Sequence, residues 1–246
     1  MTKKPMSYNA VEHFHATYHA FSPEFRFQAK TTEELQQWQV DFRPRLRTIL
    51  GLDNIEADLK DHVPTAVCHQ EDDLGDIVRE HWHLWTEPTV PLPFYLIRPK
   101  QIEARVPLVL MPHGHNHPRL YAGLYEGEEE KQHMLGGERD LAIQAAREGY
   151  IAIAPTTRAF GETRTEKDKE RNSLHSCQLQ LRHGLLAGRT PIGERVWDMS
   201  RLIDWALANL GVNPEKIAMT GNSGGGTITV FAAACETRIS VAMPGC

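Results

Sequence analysis

The sequence predicts an α/β fold, a mostly parallel sheet with helices on both faces, preceded by N-terminal helices. Two observations carry this. Three short apolar runs, residues 106–111, 150–154 and 216–220, are separated by stretches with helical periodicity. Such near-continuous apolar strands belong to sheets covered on both sides.

The elements follow in order. Residues 8–50 read as helical, most clearly from Thr31, where Thr31 and Glu34 have capping-box spacing and Leu35, Trp38, Phe42, Leu46 and Ile49 form a stripe. Pro44 is expected to kink or split this helix, and Gly51 suits its end. The domain division expected is an N-terminal helical extension over 1–60, packing on a larger core over 61–246. From 62 to 99 the pattern changes to strands: residues 77–85 partly alternate and 93–98 follow a Pro-rich turn, and these read as leading antiparallel strands. A helix over 140–148 ending at Gly149 joins the first two apolar runs. A helix over 193–210, with Val196, Met199, Ile203, Ala206 and Leu210 on one stripe, precedes the third. A last helix near 225–235 leads to a strand over 239–243. The charged excursion 161–176 reads as a solvated loop.

Composition narrows the function classes. A length of 246 residues with 41% hydrophobic content suffices for one large core. The net charge of -5, with Lys and Arg scattered, offers no footprint for nucleic acid or an anionic membrane. A small-molecule partner is therefore expected. No apolar run reaches membrane-spanning length and the first residues lack a signal-peptide core, so the cytoplasm is the default compartment. The four cysteines show no Cys-x-x-Cys spacing and read as buried thiols. No Walker loop or dinucleotide fingerprint occurs, which disfavours nucleotide cofactors. The oligomeric state is not legible.

The chemistry centres on Gly221-Asn222-Ser223-Gly224-Gly225. A Gly-x-Ser-x-Gly string by itself is weak evidence. Here it follows an apolar strand and opens a helix of small residues, the setting of a nucleophile elbow, with Ser223 as the catalytic residue. Gly221 and Gly225 permit the tight backbone. After the first apolar run, Pro112-His113-Gly114-His115-Asn116 stands where an oxyanion donor is needed. The amides of Gly224 and His115 are the candidate oxyanion hole, each worth about 2.7–4 kcal/mol in a transition state. A metal cluster of His113, His115 and His117 is the rival reading; no His-Glu-x-x-His string or adjacent carboxylate supports it, and the metal assignment is none. His113 reads as a loop-fixing residue. His81 and His83, on one strand face near Trp82 and Trp85, read as strand packing rather than ligation. Asp198, Asp204 and Glu194 read as cap, salt-bridge or surface groups.

These features resemble the acetyl xylan esterase and dienelactone hydrolase-like branch of the α/β-hydrolase superfamily. The resemblance rests on residues 108–115, 149–155 with 158–161, 186–190 running to 196–199, and 217–227. The serine string is the most diagnostic for the superfamily. The Gly188-Arg189-Thr190 to Val196-Trp197-Asp198 stretch is more specific to the branch. The resemblance implies an α/β-hydrolase fold and hydrolysis of small carboxylic esters, acetylated carbohydrate among the candidates, through an acyl-enzyme on Ser223. It also implies no metal and no organic cofactor. The serine, where dienelactone hydrolases commonly carry cysteine, favours the esterase side.

In this fold an acid and a histidine follow the nucleophile in sequence. After Ser223 the chain offers Glu236 and no histidine. Residues 239–246 read as a central buried strand that would become an uncharged sheet edge. The expectation is a chain lacking C-terminal strands, with the triad acid and base encoded downstream. A base from upstream, His175 or His183, and a non-catalytic binding or scaffold protein are the alternatives.

Overall fold

The computed structural model describes residues 7–20, 24–102 and 105–245. The chain divides into two compact units, Met1–Arg45 and Leu46–Cys246.

In the first unit, α1 (Ala10–Ala20) buries no residue and is capped by the Asn9 side chain, which accepts from the Val11 and Glu12 amides. Helix α2 (Thr32–Leu50) starts on the expected cap: Thr31 Oγ1 accepts from the Glu34 amide at 3.2 Å. Glu34 reaches back one residue further than a standard box, to the Lys30 amide at 2.7 Å. The stretch before α2 is not helical. It brings Phe27 edge-on to Trp38 at 5.2 Å, while Trp38 stacks on Phe42 at 4.7 Å and donates its indole N–H to the Phe25 carbonyl. Helix α2 runs through Pro44 without being split, which leaves the kink of the expected kink or split. The expected stripe also shifts at its end, where Leu46 and Leu50 are buried and Ile49 is exposed. Leu50 lies one full i,i+4 step from Leu46 and so shares its face.

The second unit is built on a seven-stranded sheet of β1 (Ala66–Asp73), β2 (Ile77–Glu87), β3 (Val90–Pro99), β4 (Val106–Leu110), β5 (Ile151–Pro155), β6 (Val212–Asn222) and β7 (Val241–Gly245). The order is β1-β2-β3-β5-β4-β6-β7. The first three strands form an antiparallel meander whose third member pairs antiparallel with β5, and β5-β4-β6-β7 pair in parallel. Strand β1 escapes a hydrophobicity reading because most of its residues are exposed. A bulge falls between Cys68 and Gln70, so His69 has no partner across the ladder.

The central strands alternate between two cores. Val109, Met111, Ala152 and Ala154 face a cluster with Ile143 and Ala146 of α6 (Leu141–Arg147) and Tyr121 of α4 (Pro118–Tyr121). The opposite face carries Phe94, Leu96, Leu108, Leu110, Ile151 and Ile153, all fully buried. Helix α9 (Pro191–Asn209) covers that face, its Trp205 edge-on to Phe94 at 5.1 Å and 5.2 Å from Trp82. Thr190 caps α9 by accepting from the Gly193 amide, and Pro191 occupies the first turn, where no N–H is needed. Burying a side chain such as Leu202 or Ile203 contributes about 1.5–3 kcal/mol each. Strand β7 has the composition of a buried run but forms the sheet edge, the position expected for it, with all five residues exposed.

Five helices among the described residues were not distinguished by the sequence pattern: α3 (Leu52–Asp58), α4, α5 (Gly127–Gly136), α7 (Glu166–Glu170) and α8 (Cys177–Leu186). The expected solvated loop 161–176 is partly folded. A 3-10 turn over Gly161–Thr163 leads into α7, and buried Ser176 accepts from the Thr165 amide and donates its own amide to the Ala159 carbonyl. Among the described residues no helix is long and apolar enough to cross a membrane.

Candidate active site

Strand β6 ends in the serine turn, and α10 (Gly224–Cys235) begins on the next residue. Ser223 has φ 82° and ψ −107°, a conformation that costs a non-glycine residue on the order of 1–3 kcal/mol. It is exposed at the C-terminal end of the parallel strands. Gly224, as the first residue of α10, carries one of the amides that no helical carbonyl can satisfy, at the positive end of the helix dipole.

The loop after β4 lies directly against this turn. A Cβ on Gly225 would stand 1.9 Å from the Pro112 carbonyl oxygen, so only glycine lets the two backbones approach. A Cβ on Gly114 would stand 3.0 Å from both the Ser223 Cβ and the Gly224 nitrogen. Ser223, Gly224 and Gly114 thus lie close together. On its other side the turn is held by β7, where the Ser223 amide donates to the Gly245 carbonyl at 2.9 Å.

His113 fixes the loop. Its ring is fully buried, and Nε2 accepts from the Thr157 amide at 2.9 Å. The proton therefore sits on Nδ1, which donates to the Gly114 carbonyl at 2.8 Å. The Thr157 hydroxyl completes the link by donating to the His113 carbonyl. Burial lowers the His113 pKa to about 4, so the ring is neutral near pH 7. With both nitrogens engaged it is free neither as a base nor as a metal ligand. In a trans peptide C=O and N–H point in opposite directions. The Gly114 carbonyl turned toward His113 therefore sends the His115 N–H to the other side. The His115 ring itself is exposed, packing on Phe160 at 5.3 Å.

Behind the loops runs a buried ion network. Asp198 on α9, 1% exposed, accepts from Arg158 Nε at 2.6 Å, Arg158 Nη2 at 2.7 Å and the Thr86 hydroxyl at 2.7 Å. Arg158 also pairs with Glu87 at 2.6 Å, and Glu87 with Arg189 at 2.7 Å. Arg189 and Asp198 both belong to the stretch singled out as branch-specific. Its structural role is to tie α9 to the end of β2 and to the loop after β5. The reading of Asp198 as a salt-bridge group holds. Glu194 lies 3.8 Å from Arg158, and Asp204 pairs with Arg201 and Arg238.

A cleft of about 1040 Å3 is lined by His83, Tyr95, His117, Arg158, Glu162 and Arg164 among others, without Ser223. Two of its lining residues, His83 and Glu162, converge with His81, the ligand-type atoms of the three all within 4.8 Å of one another. Burial lowers the pKa of both imidazoles. This grouping was missed in the sequence, where His81 and His83 read as packing alone; the Glu162 contact is tertiary and leaves no spacing signal.

The Abhydrolase family matches this sequence over residues 6–239. The chain belongs to that family. This abhydrolase is 26% identical over 156 residues to the candidate hydrolase YtaP of Bacillus subtilis (strain 168), a match covering 63% of the chain and 48% of YtaP. Its fold is similar to that of the candidate acetyl xylan esterase BF1801 of Bacteroides fragilis NCTC 9343, with a TM-score of 0.80 at 20% identity. That similarity covers 96% of the abhydrolase chain and 59% of BF1801. An acetyl xylan esterase from Paenibacillus sp. R4 aligns with a TM-score of 0.56 at 16% identity, over 82% of this chain and 63% of that one. The chain thus spans about half to three-fifths of the length of these relatives, and its architecture is that of an α/β-hydrolase.

Proposed function

We propose that this abhydrolase acts as a serine hydrolase on carboxylic esters, with Ser223 attacking the acyl carbonyl to form an acyl-enzyme. The observation that carries the reading is the left-handed, exposed Ser223 held against the Gly114-His115 loop. A strained backbone at the start of a helix, beside a second close-packed glycine, is what an exposed nucleophile with adjacent amide donors requires. The amides of Gly224 and His115 receive the oxyanion. A small ester fits, and acetylated carbohydrate is a candidate substrate, supported by the esterase names of the structural neighbours.

The test is a fluorophosphonate probe applied to the full natural gene product, with Ser223→Ala alongside, together with turnover of a small acetate ester. Labelling mapped to Ser223 and ester turnover that Ser223→Ala abolishes are the expected results. A folded protein that neither labels nor turns over the ester overturns the reading.

A further inference from the structure

We propose that His81, His83 and Glu162 form a binding site for a divalent transition metal of the zinc class, separate from the serine turn. His81 and His83 stand two apart on β2 and so project from one face of the strand. Glu162 arrives from the 3-10 turn after β5. Its two oxygens lie 3.9 Å from His81 Nε2 and 3.8 Å from His83 Nε2, longer than hydrogen bonds and on either side of a gap. Two imidazoles and a carboxylate are a donor set that zinc-class ions take, and three protein ligands leave a further position for water or for an oxygen donor from the cleft. Ligands about 2.0–2.1 Å from a tetrahedral ion are roughly 3.4 Å apart, so the set must close by about an ångström. Glu162, 57% exposed, has the freedom to make that movement.

The surroundings orient the rings as a metal requires. His69, placed in the β1 bulge, brings Nε2 to 2.7 Å from His83 Nδ1. With the proton on His83 Nδ1 donated to His69, the lone pair of His83 lies on Nε2, the atom facing Glu162. A ligating histidine whose other nitrogen donates to a fixed acceptor is the usual outer arrangement of such sites. Tyr95, opposite His81 in the β2–β3 register, stacks on its ring at 4.8 Å. The bulge thus has a use: it sets a third imidazole behind the pair. His69 is a positioning residue in this scheme.

The experiment is equilibrium titration of tag-free, chelator-treated full chain with Zn2+ alone. One saturable site per chain is expected, weakened at least 30-fold in His83→Ala, at least 10-fold in Glu162→Ala, and about 10–100-fold in His69→Gln. His15→Ala/His19→Ala, removing an exposed pair on α1, should leave the site unchanged. No saturable Zn2+ binding, or binding that His83→Ala leaves intact, overturns the proposal. Should the variants fail to fold, the wild-type chain decides: Zn2+ should slow diethyl pyrocarbonate modification of His81 and His83 while sparing His183, and equal modification with and without Zn2+ overturns the proposal.

Discussion

The Nε2 atom of His113 accepts the backbone N–H of Thr157 at 2.9 Å, joining the loops that follow β4 and β5 inside the protein. Burial keeps this ring neutral down to about pH 4, against an ordinary value of 6.5. The unfolded chain therefore takes up a proton on His113 as pH falls below about 6.5, while the folded protein resists until about 4. Stability from this residue is complete above pH 6.5 and declines progressively toward pH 4, by about 3 kcal/mol in all. Urea unfolding between pH 7 and 4 should show this decline, and His113→Gln should flatten it. An equal slope in the variant counts against the assignment.

Ser223→Ala should remove ester turnover by a factor on the order of a millionfold, since the nucleophile and its base act as a unit. Circular dichroism and the melting temperature should change little or rise, because alanine removes the hydroxyl without filling space. Steady-state kinetics on the full gene product reads the first effect, and thermal denaturation the second.

Gly225→Ala brings a methyl group to 1.9 Å from the Pro112 carbonyl, where backbone rather than a flexible side chain must yield. A loss of about 3 kcal/mol is expected, with fluorophosphonate labelling of Ser223 reduced in the fraction that remains folded. Chemical denaturation and labelling on the same samples separate the two.

Asp198→Asn removes the bidentate partner of the buried Arg158 guanidinium and leaves it Glu87 at 2.6 Å and Glu194 at 3.8 Å. Breaking a buried pair from one side costs about 3–5 kcal/mol. The midpoint of urea unfolding should fall accordingly, and more than for Asp204→Asn, whose partners are only partly buried.

The parallel half of the sheet was legible because β5 and the end of β4 are buried on both faces and so carry continuous apolar runs, while β6 keeps the short apolar run Ile217-Ala218-Met219 before the serine turn. Helix α9 was legible for the complementary reason: Val196, Met199, Ile203 and Ala206 recur at helical spacing and are buried. Ser223 and the Gly114 loop could be found because their chemistry is local: a glycine pattern at a strand end. Strand β1 was not, since its outward side chains, Gln70, Glu71 and Asp72 among them, are held by the ladder with β2 rather than by burial. The excursion 161–176 has the charge density of a solvated loop, yet Arg164 donates to the Gly161 and Ser173 carbonyls and folds the segment on itself. Pairings such as Arg158 with Asp198, or Glu162 with His81, join residues whose separation along the chain is set by topology. No periodicity records them.

The sheet register has a bearing on how the protein acquires its reactive serine. The β1–β3 meander joins near neighbours, whereas β4 meets β6 through Leu108 opposite Ile217, a closure spanning much of the chain. Distant parallel pairings are slow to form, and this one sets Gly114 beside Ser223. During refolding from urea, far-UV ellipticity should therefore return before fluorophosphonate reactivity does, so that the nucleophile stays dormant until the chain is almost fully assembled.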